Sequence, residues 1–427
     1  MSVLSVSGNL QMGPSSSEIN RNLCQKCQGH RKLCGKSMCP ILLKAKAIAD
    51  IEKTFSKTDF FGASPPSFFV GEHGYPKVSI GPMVPPLASQ DTSIYDAEEL
   101  WIFKSMDEVI GYRTSLVRGK KAINVKKARE TGNPLLDTTQ ELVMASKSVD
   151  TEMSFIKRPK LDVVFSPRVP PTGPSGIIKK ARLTENPKIP RAVDKVVSDI
   201  DLKAVGGIAK LYDDKINQRH ITRLLSAGLF GKKKNRRLVP TTWSITAVDD
   251  ILGKRYWKKI LSNNWIDNVR IFFHKALGNL VVILLYPSAW MFEAFEYWFM
   301  GTSDNFAIDW ETWKGRKTYA QDVAGAYYCT RMQVLEYLDY IQRQAGCFLF
   351  MEVDKEWIPC GVWRFREIAR EALKKVPLVF DTLEQGFEGL KKIIKFPLEK
   401  YLAKSNTYKI IRSQRTLEDF FPKDVHG

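Results

Sequence analysis

The stretch NVRIFFHKALGNLVVILLYP, from Asn268 to Pro287, constrains this chain more than any other. Every position from Leu280 to Tyr286 is apolar, as in a strand that is buried. Leu277-Gly278-Asn279 supplies a turn, so the whole stretch reads as a hairpin. The apolar character runs on to Met300 but is interrupted by Pro287, Glu293 and Glu296. That part reads as a buried strand followed by an amphipathic helix rather than a membrane span. Met1 to Ser17 is small and polar, without the basic and apolar regions of a signal peptide. A cytoplasmic protein with no membrane partner is expected.

With 427 residues and 44% hydrophobic content, the chain can bury a large core and is expected to form two lobes. Helical patterns cover Lys203–Leu229, Ala320–Gln344, Val362–Lys374 and Leu383–Lys404, and Phe348–Val353 reads as a strand. Hairpins mixed with long helices, without βαβ alternation, predict an α+β fold. Five segments follow: a disordered tail over 1–19, a small zinc-binding element and helix over 20–55, and an α+β main lobe over 56–300. A mainly helical lobe spans 301–404, and 405–427 is a flexible C-terminal tail. Residues 151–195 hold ten Lys/Arg against four acids, with seven prolines between Pro159 and Pro190, and read as a loop-rich basic surface.

Lys and Arg number 65 against 46 Asp and Glu, giving a net charge of +19. Such a surplus points to a polyanionic partner, with nucleic acid ahead of an anionic membrane and a nucleoid-associated location to match. A generally basic, solvated surface is the competing reading.

Four of the seven cysteines fall in CQKCQGHRKLCGKSMCP. The spacing of Cys24, Cys27, Cys34 and Cys39 suits a tetrahedral Zn²⁺ held by thiolates, and the closed ligand set makes the metal structural. An iron–sulfur cluster is the alternative that spacing alone leaves open. Cys329, Cys347 and Cys360 sit among apolar residues and read as core.

Near the other end, Gln414, Leu417, Phe420 and Phe421 fit the pattern Q-x-x-h-x-x-a-a. Positions i, i+3 and i+4 of one helical turn share a side, so the three apolar residues form one plug. This matches the PIP box, the peptide by which repair and replication proteins bind the PCNA sliding clamp. With the cysteine cluster, and with FFGASPPSFFVGEHGYPKVSIGP, RRLVPTTWSITAVDD and YAQDVAGAYYCTRMQVLEYL, the chain resembles the Nre family of archaeal DNA-repair proteins. The resemblance implies a DNA-damage role with the clamp as partner, and the basic charge adds DNA. It implies no established reaction.

Chemistry therefore has to be sought in the residues, and whether the protein is an enzyme stays open. The densest candidate joins Lys232, Lys233, Arg236 and Arg237 to Thr242, Trp243, Ser244, Asp249 and Asp250. Arginines and hydroxyls can hold phosphate, Trp243 can stack on a base, and paired aspartates can bind Mg²⁺ or move protons. The competing reading makes Trp243 core and Asp249-Asp250 the cap of a helix beginning at Ile251. The glycine-rich loop around Gly74 is a second candidate for approach to a nucleotide. No P-loop, HExxH or zinc-deaminase motif is present. Two readings stand: a DNA-binding repair factor held at the clamp, or an enzyme on DNA or a nucleotide recruited by the same tail.

Overall fold

The computed structural model describes residues 57–86, 92–130, 132–160, 173–299, 306–355 and 361–413, with Cys27, Arg31, Leu33, Cys39 and Leu42 besides. Alternating burial builds a first sheet from β1 (Asp59–Ser64), β2 (Lys77–Ile80), β3 (Met83–Val84), β4 (Val117–Asn124), β5 (Val149–Phe155) and β6 (Ser175–Leu183). Its order is β1-β5-β6-β4-β2, with β3 also on β4. Val149, Thr151, Met153 and Phe155 of β5 point inward while the residues between them face outward. The basic region 151–195 is thus less loop-rich than its prolines imply. Its described part is mostly β5, β6 and a later helix, and Pro159, Pro174, Pro187 and Pro190 flank these elements without interrupting them.

Among the described residues from 92 onward, this half of the chain contributes α1 (Glu98–Trp101), α2 (Met106–Thr114), α3 (Pro134–Met144), α4 (Arg191–Ser198), α5 (Ala204–Asp213), α6 (Gln218–Ser226) and α7 (Thr241–Ile260). The single helix expected over Lys203–Leu229 is two. Lys215 takes the left-handed conformation at φ 61, and the Asn217 side chain caps α6 by accepting Arg219 N–H. α7 is 20 residues long and starts behind Pro240. Asp249 and Asp250 therefore lie mid-helix and cap nothing. Leu136, Val196, Ile208, Ile221, Val248 and Leu252 from these helices pack over Val78, Ile80 and Ile123 of β2 and β4.

A second sheet joins β7 (Val269–Ala276), β8 (Asn279–Tyr286), β9 (Met291–Trp298), β10 (Phe306–Glu311), β11 (Gly346–Val353) and β12 (Leu378–Phe380), in the order β10-β9-β11-β8-β7-β12. The hairpin is present, and Leu277 and Gly278, both at positive φ, make its turn. β9 occupies the residues expected to be an amphipathic helix, and it pairs in parallel with β11. One face of the sheet packs on α8 (Gly325–Tyr340) and α9 (Trp363–Leu373). The other packs on α10 (Leu383–Lys391), α11 (Leu398–Lys404) and α12 (Asn406–Ser413). Burial on both faces explains the unbroken apolar runs of β8 and β11.

The helix expected over Leu383–Lys404 is broken before Pro397, and Glu352 accepts the backbone N–H groups of Lys395 and Phe396 there, at 2.9 and 2.8 Å. The lobe boundary expected at residue 300 falls between β9 and β10, which are neighbours in one sheet. α7 links the two halves: Val248 and Leu252 enter the first core, Ile260 enters the second, and Tyr256 touches both. No helix among the described residues is long and apolar enough to cross a membrane.

Candidate nucleic-acid interface

The turn between α6 and α7 carries the run of cations, and two glycines shape it. Gly228 has φ +69, and a Cβ there would meet Arg237 O at 2.6 Å, so only glycine lets the chain double back so tightly. Gly231, at φ +101, completes the turn. The result is a cleft of about 480 Å³ with an apolar floor that includes Phe230 and a rim of Lys203, Lys232, Lys234, Arg236 and Arg237. None of its described lining residues is acidic.

The cations have different jobs. Arg236 is an internal brace: its Nε donates to Gly231 O at 2.8 Å, and its Nη2 donates to Val197 O and Asp199 O at 2.8 and 2.9 Å. These bonds satisfy carbonyls at the end of α4. Burial lowers its pKa, and Asp199 works against that. Lys233 is not among the cleft-lining residues, and its backbone N–H bonds Ile200 O at 2.8 Å. Lys203, Lys232, Lys234 and Arg237 are left to present charge. Arg129, outside the cleft, donates to Lys234 O at 2.8 Å and carries the basic surface toward Lys126.

Backbone bonds place the glycine-rich loop beside this cleft. Pro76 O accepts Val125 N–H at 2.9 Å, and Val125 O accepts Leu238 N–H at 2.9 Å. Val70 and Thr241 exchange two bonds, Thr241 N–H to Val70 O at 3.0 Å and Val70 N–H to Thr241 Oγ1 at 2.8 Å. The two stretches that read as separate site candidates therefore meet. Tyr75 and Trp243 lie with ring centroids 5.5 Å apart and planes tilted by 40°. Thr242 Oγ1 donates to the Glu72 carboxylate alongside them. Trp243 is 42% exposed, which sets aside the core reading for this side chain.

Ser244 and Asp249 are both fully buried. Asp249 accepts from Gln218 Nε2 and pairs with Arg366 Nη2 at 2.7 Å, whereas Asp250 pairs with Lys254 at 2.6 Å. The two aspartates thus face different partners and do not form a common metal or acid–base site. Burial raises the Asp249 pKa while Arg366 pulls it back.

A second cleft, of about 460 Å³, has no signature in the sequence. Its charges come mainly from α1, α5, α6, α8 and α9 and partly neutralise one another, Glu367 with Arg370 and Arg219 with Glu98 at 3.2 Å, while the neutral Tyr212 phenol donates to Glu336. No spacing along the chain reveals it, because its groups are gathered from six separate helices and a loop.

Of the four cysteines expected to hold zinc, Cys27 is buried and Cys39 half-buried, while Cys24 and Cys34 lie outside the described residues. Four thiols are a fitting donor set for Zn²⁺. Gln414, Leu417, Phe420 and Phe421 also lie outside them.

Fold and site together define an α+β protein with a basic cleft beside an exposed aromatic pair. The chain belongs to the archaeal Nre family: residues 33–304 match the N-terminal region of archaeal Nre and residues 311–420 its C-terminal region. It is 37% identical over 404 residues to the DNA repair protein NreB of Archaeoglobus fulgidus, covering 93% of this chain and 99% of that one. To the DNA repair protein NreA of the same organism it is 35% identical, covering 85% and 91% of the two chains. To NreA of Haloferax volcanii it is 34% identical, covering 81% and 85%. No solved structure matches the chain.

Proposed function

We propose that this chain is a DNA-repair protein that grips DNA phosphates with its basic cleft and is held at the sliding clamp by its C-terminal motif. One observation carries the DNA contact: a cleft rimmed by Lys203, Lys232, Lys234 and Arg237 with no acid in its described lining. Clustered cations without counter-ions repel one another, and a polyanion relieves that repulsion by releasing its own condensed ions. The names of the relatives, all DNA repair proteins, agree with this reading. The clamp contact is supported by Gln414, Leu417, Phe420 and Phe421, and the zinc element by the four clustered cysteines. We favour a binding role over the enzyme alternative because Asp249 and Asp250, the acid–base candidates, are engaged in ion pairs.

The test is a charge reversal of Lys232, Lys234 and Arg237 to glutamate in the full chain, sparing Arg236 because it braces the fold. Affinity for DNA should fall, and the slope of log affinity against log salt should flatten by roughly one unit for each phosphate no longer neutralised. An unchanged slope would move the DNA site off this cleft.

A further inference from the structure

We infer that the exposed ring pair Tyr75–Trp243 stacks on an unpaired base of a DNA strand whose phosphates follow the adjoining basic surface, so that the protein prefers single-stranded DNA to intact duplex. This rests on the nucleic-acid reading above and adds the form of DNA that is bound.

A lone exposed aromatic means little, since much of any protein surface is apolar. Here two large rings, 43% and 42% exposed, lie against each other, and hydrogen bonds hold the backbone beside each. Tyr75 N–H bonds Glu72 O at 3.3 Å, and Lys77 N–H bonds Gly74 O at 2.8 Å, closing a tight turn. Gly74 has φ +82, and a Cβ there would lie 2.8 Å from Lys77 O, so glycine keeps that turn closed. From the other side, Thr242 reaches across from α7 to Glu72. The backbone that carries both rings is thus held before any ligand arrives, which lowers the ordering cost of stacking.

Charge then separates base from backbone. The Glu72 carboxylate beside the rings repels phosphate but can accept from the amino group of a base. Cations begin immediately next to it. Lys77 pairs across the sheet with Asn124, whose side chain caps the turn carrying Lys126. Arg129, at the end of that turn, leads to Lys234 and the cleft. One helical turn beyond Trp243, Thr246 Oγ1 donates to Thr242 O at 3.3 Å, and from the loop before α8 the Tyr319 ring lies 5.2 Å from that of Tyr328. Tyr319 is 46% exposed and extends the aromatic ledge along α7. Bases inside a duplex already stack on one another, so a ledge of this kind gains a partner only where pairing is broken.

The experiment measures binding of the full chain, by fluorescence anisotropy, to a labelled single strand and to the same sequence as duplex. Wild type should bind the single strand more tightly. Trp243→Ala should weaken single-strand binding about tenfold, leaving duplex binding and the salt slope unchanged. Trp243→Phe should keep most of the affinity, because a smaller ring still stacks. If Trp243→Ala weakens neither form, or both equally, the ledge is not a base platform, and the DNA reading still stands provided the charge reversal weakens binding. If wild type binds no DNA in low salt, the underlying reading fails and the inference goes with it.

Discussion

The carboxylate of Glu293, in the middle of β9, accepts the backbone N–H of Asn406 at 2.8 Å across a sequence gap of 113 residues. It also accepts Thr407 N–H at 3.2 Å and the Ser405 hydroxyl, while Ser405 Oγ itself accepts Tyr408 N–H at 2.9 Å. Strand and cap together satisfy the first amides of α12, which no intrahelical carbonyl can reach. Burial pushes the Glu293 pKa up, and these bonds pull it back. Glu293→Ala should leave buried donors unpaired and cost about 2–3 kcal/mol. Urea denaturation measures the loss, and hydrogen exchange should show protection falling first at residues 406–408.

Glu296, three positions along the same strand, has no such cradle. It accepts from Trp298 Nε1 at 2.9 Å, but burial pushes its pKa up to about 7 despite the nearby Arg364 charge. In the unfolded chain a glutamate titrates near about 4.3, so folding takes up a proton between the two values. Stability should therefore fall as pH rises through that window and stay lower above it. Glu296→Gln abolishes the effect. Its melting temperature should exceed wild type at about pH 8 and converge with it near about pH 4. A constant difference at all pH values would show that Glu296 does not titrate in this range.

A free peptide of residues 405–427 should bind the clamp without the body, at micromolar affinity because ordering a tail costs entropy. Phe420→Ala with Phe421→Ala should remove roughly 3 kcal/mol or more, about a hundredfold. Calorimetry against the clamp measures this. The double variant in the full chain should melt with the wild type, and a drop of several degrees would mean that the rings belong to this protein's own core.

Metal analysis of the purified chain should find about one zinc per molecule, lost when Cys24 and Cys27 become serine. Iron with visible absorbance would instead identify a cluster. The melting transition of the body should survive zinc loss, since both sheets and their cores form from residue 59 onward.

Local signals suffice for the fold wherever they are strong. The turn at Leu277-Gly278 and the apolar run of β8 specify their hairpin by themselves. β9 reads as a helix because MFEAFEYW places two glutamates three apart, as a helix face would. In a strand that spacing sends them to opposite sides, where Glu293 meets α12 and Glu296 meets Trp298. Their polarity is satisfied by tertiary partners, which no window of sequence displays. The site divides the same way. The cations of 232–237 are legible as a cluster, but two of the three carbonyls that occupy Arg236 and the partners that hold Asp249 lie 31 to 117 positions away. Trp243 and Tyr75 each stand out in the sequence, and only the exchange of bonds between Val70 and Thr241 shows why they meet.

α12 ends at Ser413, and the Q-x-x-h-x-x-a-a pattern proposed to bind the clamp opens at the next residue, Gln414. Glu293 fastens the start of that helix to the central sheet, so the tail expected to be flexible over 405–427 is a packed helix as far as Ser413. A seated motif would then act as a bracket and not a leash. The body could swing through only a narrow arc, and the effective concentration of its basic face would be set by that geometry rather than by a random coil. Where on the DNA the protein works would be decided by one short helix and the carboxylate that holds it.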